Sequence, residues 1–144
     1  MKTSSCKAKG RKLCLETVEM ILQVFPELEP GDLSVTSSVA TGEDIRLSPR
    51  ALKLLPLSIE AKNQERANFW AAFEQAKGHA SKRGGETYPA LVARRNRTEP
   101  LMVLRLEDFL RLLRLAYVSR IFCSQSPDLV GTGEAQGVRT QDPL

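Results

Sequence analysis

The sequence predicts a mixed α/β fold in which one central mixed sheet is flanked by helices. Apolar residues recur with helical spacing near the beginning, in the middle and near the end of the chain, and short β-branched or apolar runs lie between these segments. This order of helical and extended segments is typical of a sheet covered by helices. With 144 residues, 42% of them apolar, the chain is expected to build one domain with a complete core.

The first predicted helix covers residues 11–25, because apolar side chains recur on one side of it and charged side chains on the other. Pro26 ends the pattern. Residues 1–10 are basic and small, and we expect them to form a mobile arm. The apolar side of the helix consists of Cys14, Val18, Ile21 and Phe25.

Two short extended segments and a short helix are predicted next. The β-branched alternation of residues 33–39 predicts a strand, and Gly42 marks a turn before a second extended piece that carries Asp44. Ser48 followed by Pro49 has the pattern of an N-cap and a first helical residue. This pattern predicts a helix of one or two turns.

A strand is predicted for residues 57–62. Alternation along a strand places Glu60 and Lys62 on one face and Ile59 and Ala61 on the other. We expect the face with Glu60 and Lys62 to be open for a site and the opposite face to be buried.

Residues 63–80 form the next predicted helix, and its apolar stripe includes Phe69, Trp70 and Phe73. We expect these aromatic side chains in the core rather than on a base-stacking surface. His79 is the only histidine and lies near the end of this helix. A single histidine argues against a zinc site and against Ser/His or Cys/His catalysis.

The last third of the chain predicts a β-hairpin and a helix. Apolar runs at residues 88–94 and 100–106 are joined by the polar segment RNRTE, and a helical stripe covers residues 106–117. Residues 123–144 are rich in Gly, Pro, Ser and Gln, which predicts a disordered tail. The single domain is therefore expected to span residues 11–122.

Basic residues are concentrated in two groups, and the chain has a net charge of +4 and a pI of about 9.1. This distribution permits an anionic partner such as DNA, although solvated basic faces have the same pattern. The three cysteines lack CxxC spacing, and no apolar run approaches the ~18 residues of a membrane span. We therefore expect a cytoplasmic protein with no membrane partner. The candidate DNA-binding residues are Lys9, Arg11, Lys12, Lys82, Arg83, Arg94, Arg95 and Arg97.

Asp44, Glu60 and Lys62 have the chemistry that metal-dependent phosphodiester cleavage requires. Two carboxylates supply hard oxygen ligands for Mg²⁺, and an amine beside them can orient a water molecule or share the charge of a phosphate. The alternative is that Glu60 and Lys62 form an exposed strand pair and that Asp44 is an ordinary turn residue.

These residues also lie in a familiar order. Asp44 at the head of a strand, fifteen intervening residues, the segment SIEAKNQ and an amphipathic helix resemble the PD-(D/E)xK nuclease superfamily, which has the restriction-endonuclease-like fold. Together with the basic segment KAKGRK, residues 8–118 resemble Holliday junction resolvase-like and small phage endonucleases. The resemblance implies an αβββαβ core, Mg²⁺ or Mn²⁺ as cofactor and cleavage of DNA. For a phage-encoded enzyme it implies the host cytoplasm.

The resemblance also implies roles for single residues. Asp44 matches the metal-binding aspartate, Glu60 the acidic residue of the ExK pair and Lys62 its lysine. Ala61 occupies the variable position, and its carbonyl is a candidate metal ligand.

A glutamate of the first helix joins the metal site in resolvase-like relatives. Glu16, on the polar face, is our candidate, and Glu19 is its rival. Cys14 occupies the position that matches the family spacing from Gly10. An ordinary helix pair between Lys12 and Glu16 would explain the same sequence.

Two further residues follow the ExK segment. Gln75 resembles an accessory glutamine of some relatives, and a surface glutamine is the alternative. Asn63 is expected to cap the following helix, with contact to a phosphate as the alternative.

Three hypotheses follow for the protein as a whole. The first is a metal-dependent endodeoxyribonuclease that acts on branched or structured DNA, with its apolar last helix as the candidate interface of a homodimer. The second is a nucleic-acid-binding module with a nuclease-like fold and no catalysis. The third is an all-α interaction protein in which residues 32–62 form a loop.

Overall fold

A computed structural model describes residues 3–36 and 42–124. The described chain alternates helices with short strands, and a 3₁₀ turn at Pro30–Asp32 leads into the first strand. The elements are α1 (Thr3–Val24), β1 (Leu33–Val35), β2 (Ile45–Leu47), α2 (Pro49–Leu54), β3 (Leu57–Asn63), α3 (Phe69–Arg83), β4 (Tyr88–Arg94), β5 (Leu101–Val103) and α4 (Leu106–Ser124).

The five strands form one mixed sheet in the order β1-β2-β3-β4-β5. Strands β3 and β4 are parallel and joined through α3, whereas every other neighbouring pair is antiparallel. Glu60 of β3 lies beside Leu91 of β4, and Lys62 lies beside Ala93. The predicted mixed α/β class with a helix-flanked sheet is therefore confirmed, and the all-α hypothesis is wrong.

Helices α1 and α3 cover opposite faces of the sheet. On the α3 face, Phe73 packs against Leu91 and Ala93 of β4. On the other face, Ile21 of α1 lines an apolar groove together with Val92, whose side chain alternates with that of Leu91. The two most buried central strands are thus enclosed from both sides.

Several local predictions agree with the structure. The Ser48 side chain accepts a hydrogen bond from the N–H of Ala51, so it caps α2 as expected. The hairpin of β4 and β5 is present, and its connection contains Arg95 and Arg97. Helix α1 ends at Val24, two residues before Pro26, which agrees with the stop expected from that proline.

The beginnings of two helices differ from the sequence prediction. Helix α1 begins at Thr3, so residues 3–10, expected as a mobile arm, belong to a helix. Helix α3 begins at Phe69 instead of residue 63, and Asn68 caps it by accepting a hydrogen bond from the N–H of Ala71. The expectation that Asn63 is the cap is therefore wrong, because β3 continues through Asn63.

Two expectations about burial are also wrong. Trp70 is 86% exposed rather than part of the core, because it lies in the first turn of α3 on a side that the sheet does not cover. Glu60 is only 1% exposed, so the face expected to be open is covered at this position. Phe73, by contrast, lies in the core as predicted.

The chain forms two compact units, Met1–Phe109 and Leu110–Leu144. The described part of the second unit is the remainder of α4, on which the side chains of Leu110, Leu113 and Tyr117 are exposed. The expected tail beyond Ser124 and the end of the first predicted strand lie outside the described residues. The homodimer expected through this last helix stays a prediction.

None of the described helices combines the length and the apolar character that crossing a membrane requires.

Candidate active site

Asp44 lies at the edge of β3, immediately before β2 begins. Its Oδ2 atom accepts a hydrogen bond of 2.8 Å from the N–H of Ala61, and its carbonyl accepts one of 2.9 Å from the N–H of Thr36. Strands β2 and β3 pair at Ile45 and Ile59. Beyond this pair, the Asp44 side chain accepts the backbone hydrogen bond of Ala61 in place of a strand residue. Since the N–H and C=O of a strand residue point to the same side, the carbonyl of Ala61 also faces this edge.

Glu60 is a buried carboxylate whose two oxygens differ. Its Oε1 atom accepts a hydrogen bond of 2.8 Å from Lys62 Nζ. Its Oε2 atom has no hydrogen-bond partner, although His79 Nδ1 lies 3.3 Å away without the geometry of a hydrogen bond. Burial raises the pKa of Glu60, and the nearby Asp44 carboxylate acts in the same direction, while Lys62 opposes both. Oε2 of Glu60 therefore faces His79 but carries no hydrogen bond.

Helix α3 contributes two polar side chains to this cluster. Gln75 Oε1 accepts a hydrogen bond of 3.1 Å from Lys62 Nζ, so Gln75 contacts the predicted site. His79 lies one helical turn further along α3 and faces Glu60. From the sequence, His79 was expected only as a residue near the end of the helix. Its spacing of four residues from Gln75 indicates that both side chains lie on one side of the helix.

Two buried polar side-chain atoms without a hydrogen bond meet at this place. Glu60 Oε2 and His79 Nδ1 lie 3.3 Å apart, and neither has a hydrogen-bond partner among the described residues. The side chain of Asn63 lies on the other face of β3, where it donates a hydrogen bond to the carbonyl of Lys9. Since buried polar atoms are nearly always paired in folded proteins, the Glu60 and His79 pair is a candidate position for a ligand or a water molecule.

The first helix contributes Cys14 rather than a glutamate to the electrostatics of the carboxylates. Burial, followed by the charges of Asp44 and Glu60, raises the pKa of Cys14 to about 11. Glu16 instead forms ion pairs with Arg94 and, at 3.8 Å, with Lys12. The helix pair that the sequence allowed as an alternative is therefore present.

Glu19, the rival candidate, is exposed on α1. No group of three or more His, Cys, Asp and Glu side chains arranged to hold a metal ion was found within residues 3–36 and 42–124.

The predicted DNA-binding residues fall into two kinds. Arg94 and Arg83 are engaged within the fold, since Arg94 pairs with Glu16 and Arg83 pairs with Glu43. The others are exposed and lie along α1, near the end of α3 or in the β4–β5 turn, and of these Lys12 forms the ion pair with Glu16. These others are Lys9, Arg11, Lys12, Lys82, Arg95 and Arg97.

Glu43 is a buried carboxylate that the sequence analysis did not select. Its side chain accepts a hydrogen bond of 2.7 Å from the Ser58 hydroxyl and pairs with Arg83, which also donates a 2.8 Å hydrogen bond to the carbonyl of Leu47. Both of its oxygens are thus occupied. Glu43 is therefore a structural acid, although it is adjacent in sequence to Asp44.

Comparison of the chain with protein-family models, with curated proteins and with solved structures found no match. An assignment of function therefore depends on the residues of this chain alone.

Proposed function

We propose that this protein is a metal-dependent endodeoxyribonuclease of the PD-(D/E)xK class that hydrolyses phosphodiester bonds in branched or structured DNA. The observation that carries the proposal is the convergence of Asp44, Glu60 and Lys62 at one edge of β3, with Glu60 Oε2 buried and unpaired. The order of α1, β1, β2, β3, α3 and β4 supports it, because this is the αβββαβ order with α2 inserted.

The oxygen atoms available at this edge fit a hard divalent cation. The carboxylates of Asp44 and Glu60 and the carbonyl of Ala61 would hold Mg²⁺ or Mn²⁺, whose ligands are oxygen atoms and water. The Oε2 atom of Glu60, which faces His79 and carries no hydrogen bond, supports an additional ligand here. An ion held by these residues would lower the pKa of a bound water molecule and would neutralise charge on the phosphate.

Lys62 is held in place for a contact with the substrate. An ammonium group has three N–H donors, and Lys62 uses one for Glu60 Oε1 and one for Gln75 Oε1. The third donor is available for a phosphate oxygen or for the attacking water molecule. Gln75 therefore orients Lys62, and the carboxylate of Glu60 keeps a compensating charge beside it.

Cleavage assays on a panel of DNA substrates test the proposal. The wild-type protein with Mg²⁺ is expected to cut at least one of a four-way junction, a flap, a single strand and a linear duplex, and EDTA is expected to abolish cutting. Glu60→Ala and Lys62→Met should each lower the rate by ~10²-fold or more, comparable to the loss of one transition-state donor.

A matched control is provided by Glu74→Ala, which removes an exposed carboxylate of α3 that pairs with Lys77. This variant should retain the wild-type rate. Unchanged cutting by Glu60→Ala would contradict the proposal. DNA binding without any cutting by the wild-type protein would instead favour the non-catalytic nucleic-acid-binding module.

A further inference from the structure

A cleft with a volume of about 650 Å³ lies beside the candidate active site, between the segment that follows β3 and the β4–β5 turn. Its floor contains Phe69 and Leu101, whose side chains are 40% and 65% exposed. Its rim contains Arg66, Arg95 and Arg97. An apolar floor with a cationic rim is the combination that binds single-stranded nucleic acid, in which bases stack and phosphates contact cations.

The rim arginines lack carboxylate partners. Arg66, Arg95 and Arg97 are exposed, and none of them forms an ion pair with another residue of the described chain. This distinguishes them from Arg94, which also lines the cleft but pairs with Glu16. Guanidinium groups without a protein partner are available for phosphate oxygens.

The acidic residues of the cleft do not cancel this charge. Only Glu65 and Glu99 among the acidic residues line it, and Glu65 Oε1 is held by a hydrogen bond of 2.8 Å from the N–H of Asn96. Lys9 Nζ donates a hydrogen bond of 3.0 Å to the side chain of Asn96, which adds another cation beside the turn. With three rim arginines and Lys9 against two glutamates, the site has an excess of positive charge.

The backbone of the turn is strained at one of these arginines. Arg97 has a φ of 60°, in the left-handed region that glycine adopts without steric cost. Residues in this region occur in tight turns and cluster at ligand-binding sites. Arg97 lies in the β4–β5 turn, and its exposed side chain lines the cleft.

The cleft and the carboxylate site share one continuous segment of the chain, formed by β3 and the residues that follow it. Lys62 and Arg66 are four residues apart, which limits their Cα separation to about 14 Å. This distance corresponds to about four nucleotides along one strand of a duplex. The N–H of Gln64 donates a hydrogen bond of 3.0 Å to the carbonyl of Arg94, so the segment after β3 is tied to β4.

We infer that this cleft binds a single-stranded segment of DNA that continues from the phosphodiester at Asp44 and Glu60. Its phosphates contact Arg66 and Arg97, and a base stacks on Phe69. That this DNA strand is also the substrate rests on the proposed nuclease function. Binding in the cleft can be measured without cleavage.

The test is a fluorescence anisotropy titration of a labelled 12-nucleotide single strand and of a labelled 12-base-pair duplex. The full chain carries Glu60→Ala and the buffer contains EDTA, so no DNA is cut. Arg66→Gln combined with Arg97→Gln is expected to weaken binding of the single strand about tenfold or more. Each lost phosphate contact should also reduce the slope of log affinity against log salt concentration by about 0.7 for the single strand.

A charge control is provided by Lys53→Gln, which removes an exposed cation of α2 outside the cleft. It should change affinity by less than about twofold. Equal losses for Lys53→Gln and for the arginine variants would contradict the inference, because the effect would then be one of net charge. Equal losses for the duplex and the single strand would also contradict it.

Phe69 and Trp70 provide a second matched pair, because they are adjacent aromatic residues of which only Phe69 lines the cleft. Phe69→Ala is expected to weaken single-strand binding about tenfold, and Trp70→Ala is expected to leave it unchanged. The reverse result would contradict the inference. If Phe69→Ala does not fold, Phe69→Leu keeps an apolar side chain and removes only the aromatic face.

The outcomes separate this inference from the proposed function. If the protein binds the single strand through the cleft but cuts no DNA, the nuclease proposal is contradicted and DNA binding in the cleft is supported. If the protein cuts DNA while the cleft variants bind normally, DNA binding in the cleft is contradicted and the nuclease proposal is supported.

Discussion

Single residues at the site combine burial with incomplete pairing. Glu60 is enclosed at the centre of the sheet, yet only one of its oxygens has a hydrogen-bond donor. Burial of a carboxylate is unfavourable unless the charge is compensated, and the raised pKa of Glu60 reflects that cost. A buried carboxylate with a pKa raised by desolvation is typical of side chains that take part in binding or catalysis.

Cys14 should be much less reactive than Cys6. Its pKa of about 11 leaves almost no thiolate at neutral pH, and its side chain is buried, whereas Cys6 is exposed. Alkylation by iodoacetamide at pH 7.5, followed by peptide mass spectrometry over time, should show Cys14 reacting at least ~10²-fold more slowly. In urea the two residues should react at similar rates. Equal rates in the folded protein would contradict the buried position of Cys14.

The two aromatic residues of α3 should differ strongly in their effect on stability. Phe73 packs in the core, so Phe73→Ala should lower the free energy of unfolding by about 3–5 kcal/mol. Trp70 is exposed, so Trp70→Ala should change it by less than about 0.5 kcal/mol. Urea denaturation followed by circular dichroism measures both. A large loss for Trp70→Ala would contradict its exposed position.

At the scale of elements, short local contacts define the connection from the 3₁₀ turn to α2. The Ser48 hydroxyl caps α2 and donates a hydrogen bond of 2.6 Å to Asp32 Oδ1. The N–H of Glu29 donates one of 2.9 Å to Asp32 Oδ2. The two donors join the loop before β1 to the first turn of α2, and β1 and β2 are thereby held as a pair.

Asp32 should make stability depend on pH in the acid range. The Ser48 hydrogen bond, with a smaller contribution from the N–H of Glu29, lowers the pKa of Asp32 below its ordinary value of 3.8. Because the ionised form is favoured in the folded state, the stabilisation is present above the ordinary pKa and is lost as pH falls through the folded pKa. Asp32→Asn should therefore be less stable than wild type at pH 7.

The measurement is urea denaturation of both proteins between pH 3 and pH 7. The difference between wild type and Asp32→Asn should shrink as the pH falls below 3.8. Glu19→Gln, which removes an exposed carboxylate of α1, provides a control for the change in net charge. A difference that grows toward low pH would contradict the predicted sign.

At the scale of the first compact unit, a buried polar network joins elements that are distant in sequence. Glu43 precedes β2, Ser58 lies in β3 and Arg83 ends α3. Arg83 also reaches the carbonyl of Leu47. These contacts connect the end of α3 to the strands whose edge carries Asp44, so the network supports the site without belonging to it.

Removal of Arg83 should therefore destabilise the protein as a whole. Arg83→Met leaves the Glu43 carboxylate buried without a cation, and we expect a loss of about 2–4 kcal/mol in the free energy of unfolding. Lys77→Met, which breaks the exposed pair with Glu74, should cost less than about 0.5 kcal/mol. Adding Glu43→Gln to Arg83→Met should recover part of the loss. Equal effects of Arg83→Met and Lys77→Met in urea denaturation would contradict this role.

Local sequence patterns predicted a large part of the fold. The cap at Ser48, the strand that carries Glu60 and Lys62, and the β4–β5 hairpin all depend on neighbours within a few residues. Asp44, Glu60 and Lys62 were grouped from their chemistry and from an order that resembles the nuclease superfamily, and Asp44 and Lys62 both form hydrogen bonds with the Glu60–Ala61 segment. The nuclease function that the resemblance implies stays a proposal.

Other features were not predictable because they depend on which side of an element another element covers. Helical periodicity groups Phe69, Trp70 and Phe73 into one stripe but does not define which flank the sheet covers, so Trp70 was assigned to the core and is exposed. The contact of His79 with Glu60 was not predicted for the same reason, because it depends on which side of α3 faces β3.

By itself, the sequence determined the class of the fold, most of its strands and the chemistry available along β3, because these follow from periodicity and from residue type. Only the tertiary structure decided that Glu60 is buried with one oxygen unpaired, that Gln75 holds Lys62, and that three arginines without acidic partners surround a cleft. These properties arise when α3 packs on β3 and β4, since contacts between distant segments determine burial and pairing.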